Sequence, residues 1–112
     1  MSKVLIVADH FDGDLLASTS KTVNCASQIS DEIDILVLEK DSIISPQAST
    51  IDSVKNVLSI SNEAFEHPIA SSMAPVVAEI ANDYDCILLP STTFGRDLAP
   101  RISAILDPLR LK

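Results

Sequence analysis

Three apolar runs constrain the fold more than any other feature of the sequence. Residues 3–8 (KVLIVA), 33–39 (IDILVLE) and 84–90 (YDCILLP) are dominated by Ile, Leu and Val. A strand with one wet face alternates apolar and polar residues, whereas a near-continuous run is covered on both faces, as in a parallel sheet. Parallel neighbours cannot be joined by hairpins, so the stretches between the runs have to supply crossovers.

Those stretches read as helices. After the first run the chain turns polar in Asp9, His10, Asp12, Gly13 and Asp14, and from residue 14 to 29 Leu16, Val23, Ala26 and Ile29 recur at helical spacing, with Ala17 and Thr19 between them. Asp12 or Asp14 is expected to cap that helix. Residues 40–52 are rich in Ser, Asp and Gln and carry Pro46, which predicts a loop with at most a short helix. Residues 54–60 (VKNVLSI) alternate and suit an edge strand. Pro68 is placed to open a helix whose stripe is Ile69, Met73, Val76, Val77 and Ile80, with Pro75 expected to bend it or remove a hydrogen bond. A last helix is expected over residues 96–106.

The order of strands and helices gives an α/β fold class: a three-layer, doubly wound, mainly parallel sheet in a single domain over residues 1–112. Ligands of such sheets bind past the carboxyl ends of the strands, where the loops at residues 9–14, 40–45 and 91–96 are expected to meet.

Charge narrows the partners. Eight Lys and Arg against sixteen Asp and Glu leave a formal charge of −8, which disfavours nucleic acid and anionic membrane surfaces. No apolar run reaches the length of a membrane helix, and MSKVLIVAD has no signal-peptide pattern, so a cytoplasmic setting is expected. Cys25 and Cys86 read as reduced, buried small hydrophobes.

Most motifs of enzyme chemistry are absent. The loop after the first run has neither a dinucleotide-binding fingerprint nor a P-loop. Asp9, Asp12 and Asp14 have the chemistry for a hard cation, but loop solvation and helix capping explain them better, and no metal site is expected. His10 has no nearby Ser or Cys to activate, His67 stands before Pro68 at a helix entrance, and Cys86 has no adjacent cation, so no catalytic residue is expected.

The most specific stretch is STTFGRDLAPRIS, residues 91–103. Ser91, Thr92 and Thr93 offer hydroxyl caps, Gly95 permits close backbone approach, and a helix start favours anions. Arg96 and Arg101 are five positions apart, so they do not face each other on a helix. Thr93, Gly95, Arg96 and Arg101 are candidate contacts for an anion or for a protein surface, and the residues alone leave both open.

KVLIVADH, KNVLSI, YDCILLPST and above all TTFGRDLAPRISAIL resemble the amino-terminal domain of the electron transfer flavoprotein alpha subunit. The match is carried by Ala8, Asp9, His10, Gly95, Arg96, Asp97, Leu98, Pro100 and Arg101. The resemblance implies an adenine-nucleotide-hydrolase-like sheet. It also implies a heterodimer with a beta subunit, which accepts electrons from acyl-CoA and related dehydrogenases of fatty acid oxidation and passes them to a quinone oxidoreductase. The carrier there is FAD, held mainly by the carboxyl-terminal domain of the alpha subunit, for which this sequence has no counterpart, so no FAD site is expected in the isolated chain. The implied role is a non-catalytic scaffold and subunit contact, in a bacterial cytoplasm or, less in keeping with the sequence, a mitochondrial matrix after processing. Relative to the family the chain reads as truncated at its carboxyl end, with a strand edge left open to self-association. The rivals are an adenine-nucleotide-binding module of the universal-stress-protein type, against which the usual Gly-x-x-Gly loop is missing, and a small hydrolase, for which no nucleophile and base can be assembled.

Overall fold

The computed structural model describes residues 3–11, 14–40, 44–62, 70–90 and 92–106. The apolar runs form β1 (Lys3–Val7), β4 (Glu32–Glu39) and β6 (Cys86–Leu88), and the alternating segment forms β5 (Asn56–Ser61). These four strands make one parallel sheet in the order β5-β4-β1-β6. The helices are α1 (Ala17–Ala26), α2 (Ile44–Ala48), α3 (Ala70–Ala81) and α4 (Thr93–Leu106).

Period-two alternation divides the core into two layers. Val4 and Ile6 of β1 and Ile33, Ile35 and Val37 of β4 face α1 and α2, packing with Val23, Ala26, Ile44 and Ala48. Leu5, Val7, Leu36 and Leu38 face the other way, onto Met73, Ala74 and Val77 of α3 and Leu98 and Ile102 of α4. The expected three-layer α/β architecture is thus present. The central strands β1 and β4 bury Leu5, Ile6, Ile33 and Ile35 completely, whereas β5 and β6 are half-buried edges.

Several local expectations are corrected. Residues 10–15 contain a small antiparallel pair, β2 (His10–Phe11) with β3 (Asp14–Leu15), in place of a plain loop. That delays α1 by three residues: Leu16 is its N-cap, extended at φ −78 and ψ 146, with no side-chain cap. Asp14 is therefore not a cap, and Asp12 lies outside the described residues. Because α1 ends at Ala26, Ile29 leaves the core and is 66% exposed. The same register leaves Cys25 exposed and Cys86 only half-buried, both as free thiols, so neither is the buried hydrophobe expected.

Glu39 explains the short α2. It is only 2% exposed, and its Oε1 accepts the amide of Ile44 at 2.8 Å, fixing the first turn. Pro46 stands in that turn, where a missing N–H costs little. Pro75 and Pro100 lie on exposed sides of continuous helices. The helix start expected at Pro68, and His67 before it, fall outside the described residues.

Candidate functional site

The sheet reverses its winding between β1 and β6. From β1 the chain runs through α1 on one face toward β4 and β5, and from β6 it enters α4 on the other face. Such a switch point opens a crevice past the strand ends, the usual ligand position in open α/β sheets.

Here the crevice is spanned by a hydrogen bond between two of the chain's own side chains. Asp9, two residues beyond β1, is 4% exposed. Its main chain is tied to the start of α1: the Asp9 amide donates to Oγ1 of Thr19 at 3.0 Å, and its carbonyl accepts the Leu16 amide at 2.9 Å. Its carboxylate is tied to the start of α4, where the Thr92 hydroxyl donates to Oδ2 at 2.7 Å. Thr92 also accepts the amide of Gly95 at 3.2 Å, and its carbonyl accepts the Arg96 amide at 2.9 Å, so it is the N-cap of α4. This cap starts α4 at Thr93, three residues earlier than expected, and places Gly95 and Arg96 inside its first turn.

The starts of α1 and α4 thus meet at one residue, Asp9, whose main chain holds α1 and whose carboxylate accepts from the N-cap of α4, a position that elsewhere receives an anion. Asp9 supplies the negative charge from within, and a phosphate in the same place would be repelled by it. Gly95 has a second reason to be glycine. A Cβ there would collide with the carbonyl oxygen of Pro90 and come within 3.1 Å of its carbonyl carbon. The close approach permitted by this glycine is made by the loop from β6, not by a ligand. Among the described residues, Asp9 and Thr92 therefore leave the α4 start less suited to a pyrophosphate.

The two arginines separate as their spacing requires. Nε of Arg101 pairs with Oδ1 of Asp97 at 3.2 Å, one turn earlier on the same exposed face. Arg96 is exposed in the first turn of α4 and makes no ion pair among the described residues. Thr93 is the first helical residue, with its side chain outside the described set, and Ser91 is outside it altogether.

The loop acids and histidine resolve into structural roles. His10 is buried, and Nε2 lies 2.7 Å from the carbonyl oxygen of Leu38, pinning the β2–β3 pair to the end of β4. Asp14 is exposed on β3, and no cluster of three metal-binding side chains occurs among the described residues.

A second polar network, at the amino edge of the sheet, escaped the sequence. The Tyr84 hydroxyl donates to Oδ2 of Asp34 at 2.6 Å, Nδ2 of Asn56 donates to Oδ1 at 3.1 Å, and Nζ of Lys3 sits 5.4 Å from the Tyr84 ring centre. Burial first, then the hydrogen bond and negative charge of Asp34, raise the Tyr84 hydroxyl well above its ordinary pKa. The only signal was an aspartate interrupting the apolar run of β4, and nothing in one sequence pairs it with a tyrosine fifty positions away.

Fold and site together define a doubly wound α/β domain whose own aspartate stands at the switch point. Residues 4–108 match the model of the electron transfer flavoprotein domain, and the chain belongs to that family. It is 33% identical over 105 residues to the electron transfer flavoprotein subunit alpha of Pseudomonas aeruginosa, covering 93% of this chain and 34% of that protein. The mitochondrial alpha subunit of Arabidopsis thaliana is 33% identical over 111 residues, covering 92% and 31%, and that of Dictyostelium discoideum is 27% identical, covering 95% and 32%. The chain thus spans about a third of the length of these curated relatives. Among the described residues no helix is long and apolar enough to cross a membrane.

Proposed function

We propose that this chain serves as the amino-terminal scaffold of an electron transfer flavoprotein alpha subunit, and that it acts by holding a surface for the beta subunit rather than by carrying out chemistry. The observation that carries this reading is the family match over residues 4–108 combined with a switch point that Asp9 and Thr92 close from within. A domain with its own anion in the crevice is suited to support, and the same bond fixes the helix start that displays Arg96. The complete protein would take electrons from acyl-CoA and related dehydrogenases and deliver them to a quinone oxidoreductase of the respiratory chain. FAD, held by parts of the protein outside this chain, supplies the electron-carrying group. A bacterial cytoplasm is the preferred setting, with the mitochondrial matrix as the alternative.

In this reading Arg96 is the principal contact to the beta subunit. Its planar fork suits a bidentate pair with a partner carboxylate. Arg101 contributes through the donors that its bond to Asp97 leaves over, since a guanidinium carries five and only Nε is engaged with Asp97.

The test is co-expression of the chain with a beta subunit and a polypeptide carrying the remaining part of an alpha subunit, followed by purification and a visible absorbance spectrum. A yellow complex containing all parts is expected. Arg96→Gln is expected to weaken the assembly by about tenfold, equivalent to about 1.4 kcal/mol. No association, together with adenylate binding by the chain alone, would replace this reading with that of a nucleotide-binding module.

A further inference from the structure

Two residues of the α3–α4 layer work against the helices that hold them. Pro75 of α3 and Pro100 of α4 both stand beyond the first turn, and both are exposed. A proline there removes a helical hydrogen bond and crowds the carbonyl four residues back. The carbonyls of Ser71 and Arg96 therefore lack the donors a helix would give them, and carbonyls on the solvent side of a helix tilt outward. Neither ring fills the core, since that layer is packed by Met73, Ala74, Val77, Leu98 and Ile102. A rule of local structure broken with no packing in return is the mark of a functional surface.

Charge selects the occupant. Arg96 lies one turn before Pro100 on the same face of α4. It is exposed and makes no ion pair among the described residues, although the chain carries sixteen acids. Its neighbour Asp97 is taken up by Arg101, which leaves the guanidinium of Arg96 to a group from outside. That guanidinium and the carbonyl deprived by Pro100 belong to one residue, so a donor fork and a main-chain acceptor are presented together. A carboxylate answers the first and a free N–H the second. Both occur in the first turn of a helix, whose leading amides have no partner of their own and where Asp and Glu are favoured. A strand edge also offers free amides, but it alternates them with carbonyls, and acids are depleted in strands.

We propose that the exposed face of α4 at Arg96 and Pro100, flanked by Pro75 of α3, is a docking surface for the first turn of a partner helix that carries an Asp or Glu. The carboxylate pairs with the Arg96 fork, a leading amide donates to the Arg96 carbonyl, and the compact Pro100 ring permits the close approach. The inference rests on the alpha-subunit reading, which makes the beta subunit the owner of that helix, and it adds the chemistry of the contact.

The test opposes stability to assembly, using this chain with a beta subunit and a polypeptide carrying the remaining part of an alpha subunit. Pro100→Ala restores the missing amide, so it is expected to raise the urea midpoint of the chain alone and yet weaken the assembly about fivefold. Pro75→Ala is expected to act with the same signs and a loss of about twofold. Arg96→Gln should remove most of the salt dependence of assembly, and its loss combined with that of Pro100→Ala should fall short of the product of the two, because both act on one contact. A benzophenone side chain in place of Ser103, exposed one turn beyond Pro100, is expected to cross-link to the first turn of an acid-bearing helix of the beta subunit. A yellow complex that forms equally well with Pro100→Ala would overturn the docking surface and leave the functional reading standing. A lowered midpoint for Pro100→Ala would assign the proline to the fold and overturn the proposal, as would a cross-link to a strand, to a loop or to a second copy of this chain. Failure of every partner to associate would overturn both readings.

Discussion

Asp9 and Asp34 are both buried at the ends of central strands and both accept a hydrogen bond from a hydroxyl, yet they stand in opposite fields. Asp9 lies at the carboxyl edge of the sheet, 4% exposed, where α1 and α4 begin and their amide ends make the potential positive. Its carboxylate accepts the Thr92 hydroxyl at 2.7 Å, at the start of α4. Asp34 lies at the amino edge, 8% exposed, where helices end and their carbonyls make the potential negative. It has two side-chain donors, Tyr84 and Asn56, and shares its surroundings with Lys3 and Lys55. The same residue type is thus held by fixed dipoles at one edge and by explicit partners at the other.

The severest test of the carboxyl edge is Gly95→Val. The added atoms have to occupy the space of the Pro90 carbonyl, which is backbone and cannot rotate away. A loss of about 3 kcal/mol is expected in urea unfolding, from overpacking at a helix–loop contact. An undiminished midpoint would mean that the α4 start is free to shift, and that Asp9 is not held as described. The next largest effect separates the two fields directly. Asp9→Asn keeps an acceptor for Thr92 but discards the charge that two helix starts favour, and is expected to cost about 2 kcal/mol. Asp34→Asn keeps an acceptor for Tyr84 and relieves a charge near helix carboxyl ends, so its cost is expected to be smaller. Equal costs, or the reverse order, would break the contrast.

The layered fold was legible because unbroken runs such as KVLIVA and alternating VKNVLSI are direct consequences of two-sided and edge burial. The α4 start was half legible. Hydroxyls, a glycine and an arginine announced a cap, but only the fold shows that Thr92 is the cap, that Gly95 faces Pro90, and that the anion at the switch point is Asp9. In the sequence Asp9 was one of several loop acids, and no local pattern distinguishes a carboxylate aimed at a residue eighty-three positions away from a solvated one. The boundary of α1 was misplaced for a related reason: helical periodicity continues through Leu16 and Ile29, while the β2–β3 pair takes the first residues and the turn at Ser27 releases the last.

At the amino edge the expected effect is more modest. Tyr84→Phe removes the hydroxyl from Asp34 and leaves the ring on the core, and should cost about 1 kcal/mol at neutral pH. Its pH dependence carries the sign of the network. The folded pKa of Tyr84 is raised, so between the ordinary tyrosine value of 10.0 and the folded value the native state holds a proton that the unfolded chain has lost. Stability is therefore expected to be intact below that pH and to fall as pH rises above it. In Tyr84→Phe that part of the alkaline decline should disappear, and an unchanged decline would remove Tyr84 from the account.

The smallest effect supplies the baseline for both edges. Arg101 and Asp97 lie on the solvent face of α4, outside either network, with side chains 49% and 56% exposed. An exposed pair one helical turn apart contributes little, because water screens it and two long side chains lose freedom in forming it. Arg101→Gln is therefore expected to shift stability by about 0.5 kcal/mol or less in the same urea experiment. If it costs as much as Asp9→Asn, charge changes anywhere on this acidic chain act through its overall charge of −8, and the contrast between the two edges loses its local meaning. If the effect is small while assembly with a beta subunit still weakens, Arg101 acts on the partner and not on the fold, which is the separation expected of a contact carried on a rigid helix.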